Sequence, residues 1–463
     1  MDRRRFVAAL GALPLTLGAT SGAGAASRLV QSNSTAAGRP RPTRAQLEWQ
    51  RDELAMFVHF GVNTFTDREW GDGTEDPRIF APAALDAGQW ARTAKAAGFR
   101  AMILTAKHHD GFCLWPTKTT RHSVAASPWR DGRGDLVREF VDACRAEGLK
   151  AGLYLSPWDR HEPRYGDSPA YNDFYIAQLT ELLTQYGAIS EVWFDGANGE
   201  GPNGKRQEYD WPRTWATVRR LQPGAVMFSD AGPDVRWIGN ERGAAGTTNW
   251  STVDPRIVTV PGMSGDDVMR SLQDGDRDGT VWRPGETDVS IRPGWFHHPA
   301  EDDQVRGADD LVQLYFTSVG RNSKLLLNVP PGRDGLLQPA DATNLRAMRE
   351  RLDALFARNL VATGTAKFTP RGPRTAVAEV TLRPDANVGI IDLREDIAQG
   401  QRVASYRVEV SSGATWREVA SGTTIGHRKL ERVSVGTIRR LRVMIEDAVE
   451  APLPLRIACY ATG

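Results

Sequence analysis

The stretch ISEVWFDGANGEG, residues 189–201, runs from an apolar segment through Trp193 and Phe194 to a single carboxylate, Asp195, and then breaks into glycines. Carboxylates are rarely buried without a partner. One at the end of a buried strand can attack an electron-poor carbon, take up a proton or ligate a metal. It can equally cap the next segment or pair with an arginine. Comparable positions elsewhere carry imidazoles and aromatics. His59 lies in AMFVHFGV (55–62), His108 and His109 end FRAMILTAKHH (99–109), and Tyr154 and Trp158 lie in LKAGLYLSPW (149–158). With Trp193 and Asp195 they form a set suited to hydrogen-bonding ring hydroxyls. It holds no Cys nucleophile and no Gly-x-Ser-x-Gly elbow.

Metal chemistry fits less well. In His108-His109-Asp110 the two imidazoles are adjacent, and adjacent strand residues point to opposite faces, so both seldom reach one ion. DGDRDG (274–279) resembles the start of a calcium loop, but the twelfth position is Gly285, with Glu286 one beyond it. A solvated acidic turn is the expectation there. No metal and no cofactor are expected.

These groups need a scaffold that brings strand ends together. The runs just quoted, with ISEVWFDG (189–196), AVMFSDAG (225–232) and SKLLLNVPP (323–331), are short and nearly continuously apolar. Such runs suit strands buried on both faces, as in a parallel sheet. Between them lie helical patterns. Leu136, Val137, Phe140, Val141 and Cys144 repeat at helical spacing before Gly148, and Phe174, Leu179, Leu182, Leu183 and Tyr186 before Gly187. Strand–helix units of about 40 residues predict a (β/α)8-like TIM barrel over residues 45–357, with active-site groups at the C-terminal strand ends. A doubly wound open sheet is the alternative, and the missing Gly-rich phosphate loop counts against it. From about residue 358 to 463 the chain alternates polar and apolar residues between turns, which predicts an antiparallel β-sandwich that braces the barrel or binds sugar.

The first 26 residues combine Arg3, Arg4 and Arg5, an apolar stretch from Phe6 to Ala19, and the small residues Ala23-Gly24-Ala25. They read as a signal peptide of twin-arginine type, so an exported protein, periplasmic or secreted, is expected. Residues 27–44 read as a linker rich in Ser, Ala, Pro and Arg. Across the 463 residues, 58 basic and 57 acidic side chains leave a net charge of +1. That balance argues against a nucleic-acid partner. No later segment has the length of a membrane span. Cys113, Cys144 and Cys459 are too few and too scattered for a disulfide framework or a zinc site.

Five blocks, MFVHFGVNTF, ILTAKHHDGFCLWPT, GLYLSPWD, EVWFDGANGEG and SVGRNSKLLLNVPPGRDG, occur in this order. Together they resemble the α-L-fucosidases of glycoside hydrolase family 29, over about residues 45–355. RWIGNERGAAGTTNWSTVD and TVWRPGETDVSIRPGWFHH resemble the subfamily that prefers α-1,3 and α-1,4 fucosyl branches. The resemblance implies an exo-acting retaining enzyme without cofactor, whose substrate is a fucosylated oligosaccharide or glycoconjugate. It implies Asp195 as the nucleophile and Glu241, in the NERG block, as the acid/base. Retaining chemistry needs two such carboxyls about 5 Å apart. Asp230, Asp234 and Glu286 are fallback acids. The resemblance further assigns His59, His108, His109, Tyr154, Trp158 and Trp193 to the sugar, adds Glu69-Trp70 as a sugar-contacting pair, and sets Trp295 against the 6-methyl of fucose. Other readings stay open: an exo-glycosidase for another L-sugar such as an α-L-galactoside, an inactive fucose-binding barrel, or a metal-dependent hydrolase.

Overall fold

Strands that are apolar on both faces need cover on both sides, and here they obtain it by closing on themselves. In the computed structural model, which describes residues 38–384 and 386–461, ten strands precede the C-terminal sheets. They are β1 (Leu54–Val58), β2 (Ala101–Lys107), β3 (Lys150–Leu155), β4 (Glu191–Trp193), β5 (Val226–Ser229), β6 (Val235–Trp237), β7 (Thr252–Val253), β8 (Val281–Trp282), β9 (Gly285–Ser290) and β10 (Ser323–Asn328). Among the described residues, eight of them form a closed barrel in the order β1-β10-β9-β6-β5-β4-β3-β2. Every neighbouring pair is parallel, and β1 closes on β10 from Leu54 opposite Leu325 to Phe57 opposite Asn328. β7 and β8 form a small antiparallel ribbon in the excursion between β6 and β9. The leader read at 1–26 and linker residues 27–37 lie outside the described residues. The linker's last part is anchored: Arg39 packs 5.3 Å from the Trp250 ring, and its amide donates to Glu450.

The outer helices follow their patterns. Leu136–Ala146 starts at Asp135, whose carboxylate accepts from the amide of Arg138. It buries Leu136, Val137, Phe140, Val141 and Cys144 against the barrel wall. Ser168–Gln185 starts with Pro169 in its first turn and buries Tyr171, Phe174, Tyr175, Leu179, Leu182 and Leu183. Cys113, Cys144 and Cys459 are buried free thiols. Among the described residues no helix is long and apolar enough to cross a membrane.

The C-terminal strands are β11 (Lys367–Pro370), β12 (Ala376–Thr381), β13 (Ile390–Arg394), β14 (Val403–Ser411), β15 (Arg417–Gly422), β16 (Lys429–Arg432), β17 (Arg440–Ala448) and β18 (Arg456–Tyr460). They form two antiparallel sheets, β11-β12-β17-β14-β15 and β16-β13-β18, around a core that includes Val380, Ile391, Leu393, Tyr406, Val408 and Val443. The fold is therefore a TIM barrel followed by a β-sandwich. Polar contacts join the two. Arg428 reaches Glu53 at 3.0 Å and Asp392 at 2.8 Å, and the Tyr315 hydroxyl donates to Glu53 at 2.6 Å.

The N-terminal end of the barrel is closed by ions as well as by apolar groups. Lys324 donates to Glu191 at 3.1 Å and lies 3.8 Å from Glu286, while the Trp49 indole donates to Glu191 at 2.8 Å. Burial, reinforced by the charge on Glu191, pushes the Glu286 carboxyl well above its ordinary range.

Candidate active site

The C-terminal ends of the barrel strands gather most of the residues singled out from the sequence. Asp195 follows β4 and is 6% exposed. Its Oδ1 accepts from the amide of Ala197 at 2.8 Å, and its Oδ2 accepts from the hydroxyl of Tyr154, on β3, at 3.2 Å. Gly196 has no room for a side chain. A Cβ there would lie 2.3 Å from Asp230 Oδ2 and 2.9 Å from the amide of Gly262. The loop carrying Gly262 is itself pinned by its amide to Asp230 at 2.9 Å. The backbone just after the carboxylate is thereby fixed from both sides.

Beneath Asp195 lies a stack of aromatic rings. Trp193 packs face to face on Phe228, with centroids 4.1 Å apart, and also meets Tyr154 and Phe57 at 5.3 and 5.1 Å. Its indole N–H donates to Glu286 at 3.0 Å. Trp193 is thus part of the floor under the carboxylate. Above it, His59 sits 5.6 Å from His108, and His108 lies 4.1 Å from His109, ring to ring. His109 packs on Trp158 at 4.9 Å, and Trp70 stands edge-on to both. Trp295 faces His59 at 5.2 Å. Trp70, Trp295 and Glu241 are partly exposed, whereas the imidazoles and Asp195 are buried. The result is a cluster at the C-terminal end of the barrel in which a buried acid is grouped with buried imidazoles and partly exposed indoles.

Glu69 occupies a joint between loops. Its two carboxylate oxygens accept from the amides of Trp295 and Phe296 at 2.9 and 3.1 Å, and His298 reaches it at 2.7 Å. Burial alone would raise the Glu69 carboxyl, but His298 and those amides hold it below its usual range. Glu69 therefore ties the segment after β1 to the segment after β9. Behind His108, Asp110 is fully enclosed, and burial pushes its carboxyl up to about 7. It accepts from Asn63 at 3.1 Å and from the amide of Phe112 at 2.7 Å.

The fallback acids separate clearly. Asp234, just ahead of β6, accepts from Arg219 at 2.6 Å and from the amide of Met227 at 2.9 Å. Glu286 lies in the floor, beneath Trp193. Asp230 and Glu241, following β5 and β6, share the barrel end that holds Asp195. Among the described residues no group of three or more His, Cys, Asp or Glu is placed to hold a metal ion. Several groups at this end were not singled out from the sequence. Asn328, at the end of β10, accepts from His59; Ser156 holds His109; Trp237 donates to Asp288 at 2.8 Å. The strand-end rule, applied to SKLLLN, would have found Asn328.

Residues 74–354, more than half of the chain, match the family model described as Alpha-L-fucosidase. The chain belongs to the α-L-fucosidase family. This family member is similar to the α-L-fucosidase 1 of Arabidopsis thaliana, with 43% identity over 450 residues, 91% of this chain and 87% of that one. Its fold matches the crystal structure of a glycoside hydrolase 29 family member from an unknown rumen bacterium with a TM-score of 0.84 at 39% identity, covering 92% of this chain and 78% of that one. It also matches a Ruminococcus gnavus GH29 fucosidase solved in complex with fucose, with a TM-score of 0.83 at 32% identity, over 94% and 97% of the two chains. The chain is accordingly a glycoside hydrolase.

Proposed function

We propose that this fucosidase is an exo-acting, retaining enzyme that removes terminal α-1,3- or α-1,4-linked L-fucose from fucosylated oligosaccharides or glycoconjugates. The observation that carries the reading is the setting of Asp195: a buried carboxylate held at both oxygens, at the barrel end that also gathers three imidazoles and several indoles. Asp195 attacks the anomeric carbon while Glu241 gives its proton to the departing glycosidic oxygen. The sugar is then an ester of Asp195. Glu241, now a carboxylate, takes a proton from water, the water oxygen bonds to the anomeric carbon, and the ester bond breaks. Two inversions give net retention.

His59, His108 and His109 hold ring hydroxyls in this scheme, with Tyr154, Trp158 and Trp193 supporting them. Trp70 and Trp295 close over the sugar, Trp295 against the 6-methyl, and Glu69 holds the rim. The linkage preference rests on the NERG and PGWFHH blocks. Residues 45–357 serve as the catalytic unit and 358–463 as its brace. Export to the periplasm or medium rests on the leader sequence.

The test is a pair of variants. Asp195→Ala loses activity by at least ~10³-fold, and azide restores turnover as a fucosyl azide of inverted configuration. Glu241→Ala slows substrates with poor leaving groups far more than activated aryl fucosides. Near-normal turnover by Asp195→Ala would refute the scheme, and equal slowing across leaving groups would move the acid role to Asp230. Fucose release from defined α-1,2, α-1,3, α-1,4 and α-1,6 oligosaccharides checks the linkage.

A further inference from the structure

We infer that Asn328 and Ser156 are positioning residues that fix the proton of the neutral His59 and His109 rings on Nδ1, so that both imidazoles meet the sugar with an unprotonated Nε2 and select hydroxyls that donate. The inference rests on the reading of these two histidines as sugar contacts.

The argument counts protons. The side-chain nitrogen of Asn328 lies 2.8 Å from the carbonyl oxygen of Trp295 and 3.0 Å from Ser290 Oγ. The Ser290 hydroxyl proton is already committed to the carbonyl of Gly294, at 2.7 Å. Both neighbours therefore only accept, and the amide nitrogen of Asn328 must face them. That turns Asn328 Oδ1 toward His59 Nδ1, 2.8 Å away. An amide oxygen has no proton to give, so His59 Nδ1 carries one. In the neutral ring, Nε2 is then an acceptor.

His109 reaches the same state by a different route. Ser156 Oγ lies 2.6 Å from the carbonyl oxygen of Trp158 and 2.7 Å from His109 Nδ1. Two contacts that short need two protons, and the hydroxyl owns one. The carbonyl has none, so the imidazole supplies the other from Nδ1. Both supports are buried: Ser156 and Asn328 are 0% exposed, and water does not compete for them.

The consequence is chemical. A sugar hydroxyl placed against either Nε2 must act as donor, so its own lone pairs stay available to other groups. Asn328 also couples this wall to the rim, because the carbonyl it holds belongs to Trp295. The titratable rings packed against His59 are His108 and Tyr154, at 5.6 and 6.2 Å, and His108 also packs against His109. Tyr154 in turn carries the contact to Asp195.

The test reads the tautomers directly. The full chain is labelled with [15N]histidine and its imidazoles are observed in long-range 1H–15N spectra at about pH 8, where unperturbed histidine is neutral. His59→Ala and His109→Ala assign the signals. Both rings of the unsubstituted protein are expected to carry the proton on Nδ1. Asn328→Asp places a carboxylate against the His59 N–H, stabilises the imidazolium, and moves the acid limb of kcat/KM up by about one pH unit. Ser156→Ala moves the His109 signal toward the Nε2–H tautomer. A proton on Nε2 of His59 or His109 in the unsubstituted protein overturns the inference, whether or not the variants fold. So does an Asn328→Asp loss that is equal at every pH. Undiminished fucose affinity in His59→Ala and His109→Ala overturns the sugar-contact reading itself, and the inference with it, even where the tautomers are as expected.

Discussion

Tyr154 donates to Oδ2 of Asp195 at 3.2 Å, and its ring lies 5.3 Å from Trp193, which ends β4 two places before that carboxylate. The contact aims one carboxylate oxygen and leaves its orientation dependent on a phenol packed between His108 and Trp193. Tyr154→Phe keeps the ring and removes the donor. A hydrogen bond to a charged group contributes about 1.5–3 kcal/mol, so kcat/KM on an aryl α-L-fucoside should fall by roughly 10- to 100-fold. The thermal midpoint should move little. An unchanged kcat/KM would mean that the phenol only fills space.

The barrel was legible where its strands are apolar and illegible where they are not. β1, β2, β3, β4, β5 and β10 appear in the sequence as continuous apolar runs, and their ends point to His59, His108, His109, Tyr154 and Asp195. β6 and β9 do not, because they carry Arg236, Glu286 and Asp288 in buried positions. Each takes a contact from a distant segment: Arg236 donates to the carbonyl of Leu272, Glu286 receives the Trp193 indole, and Asp288 the Trp237 indole. Periodicity carries no trace of such partners. For the same reason Glu286 looked like a possible acid from its position in the chain and turns out to support Trp193. Glu69 poses the related problem. The resemblance pairs it with Trp70 at the sugar, while its part as a joint depends on Trp295, more than 200 residues later.

That joint has a pH dependence. His298 bridges Glu69 at 2.7 Å and Asp67 at 2.8 Å. The hydrogen bond to Glu69 raises the imidazolium of His298 to about 9, against burial and with help from Asp67. A group whose pKa is raised on folding contributes fully below its unfolded value, about 6.5, and the contribution is lost as pH rises through the folded value. The clamp between the Trp70 and Trp295 loops should therefore hold through neutral pH and loosen toward pH 9. Above that, KM for fucosides should rise more than kcat falls. His298→Gln should show the higher KM already at neutral pH and a flatter alkaline profile. A KM that rises identically in both proteins would assign the effect to another group.

At the far side of the barrel, Glu53 sits between the two parts of the chain and answers to acid instead. Burial pushes its carboxyl up, but the hydrogen bond from His427 and the charges of Arg428 and Arg394 overcome this and hold it well below the usual range. A depressed carboxyl contributes stability above its unfolded value, about 4.3, and that stability is lost as pH falls toward the folded value. Arg428 contacts Glu53 and Asp392 together, so Arg428→Met leaves the buried Asp392 and the partly buried Glu53 short of a partner. Removing one member of such a cluster costs about 3–5 kcal/mol. Calorimetry at neutral pH should show a lower unfolding temperature for the variant. Glu53→Gln should weaken the protein at neutral pH and flatten the loss of stability between about pH 5 and 3. Because the cluster lies away from Asp195 and only braces the barrel, kcat at saturating fucoside should be nearly unchanged in both variants at temperatures where they remain folded. A large loss of kcat without a thermal shift would give the sandwich a part in catalysis rather than a supporting one.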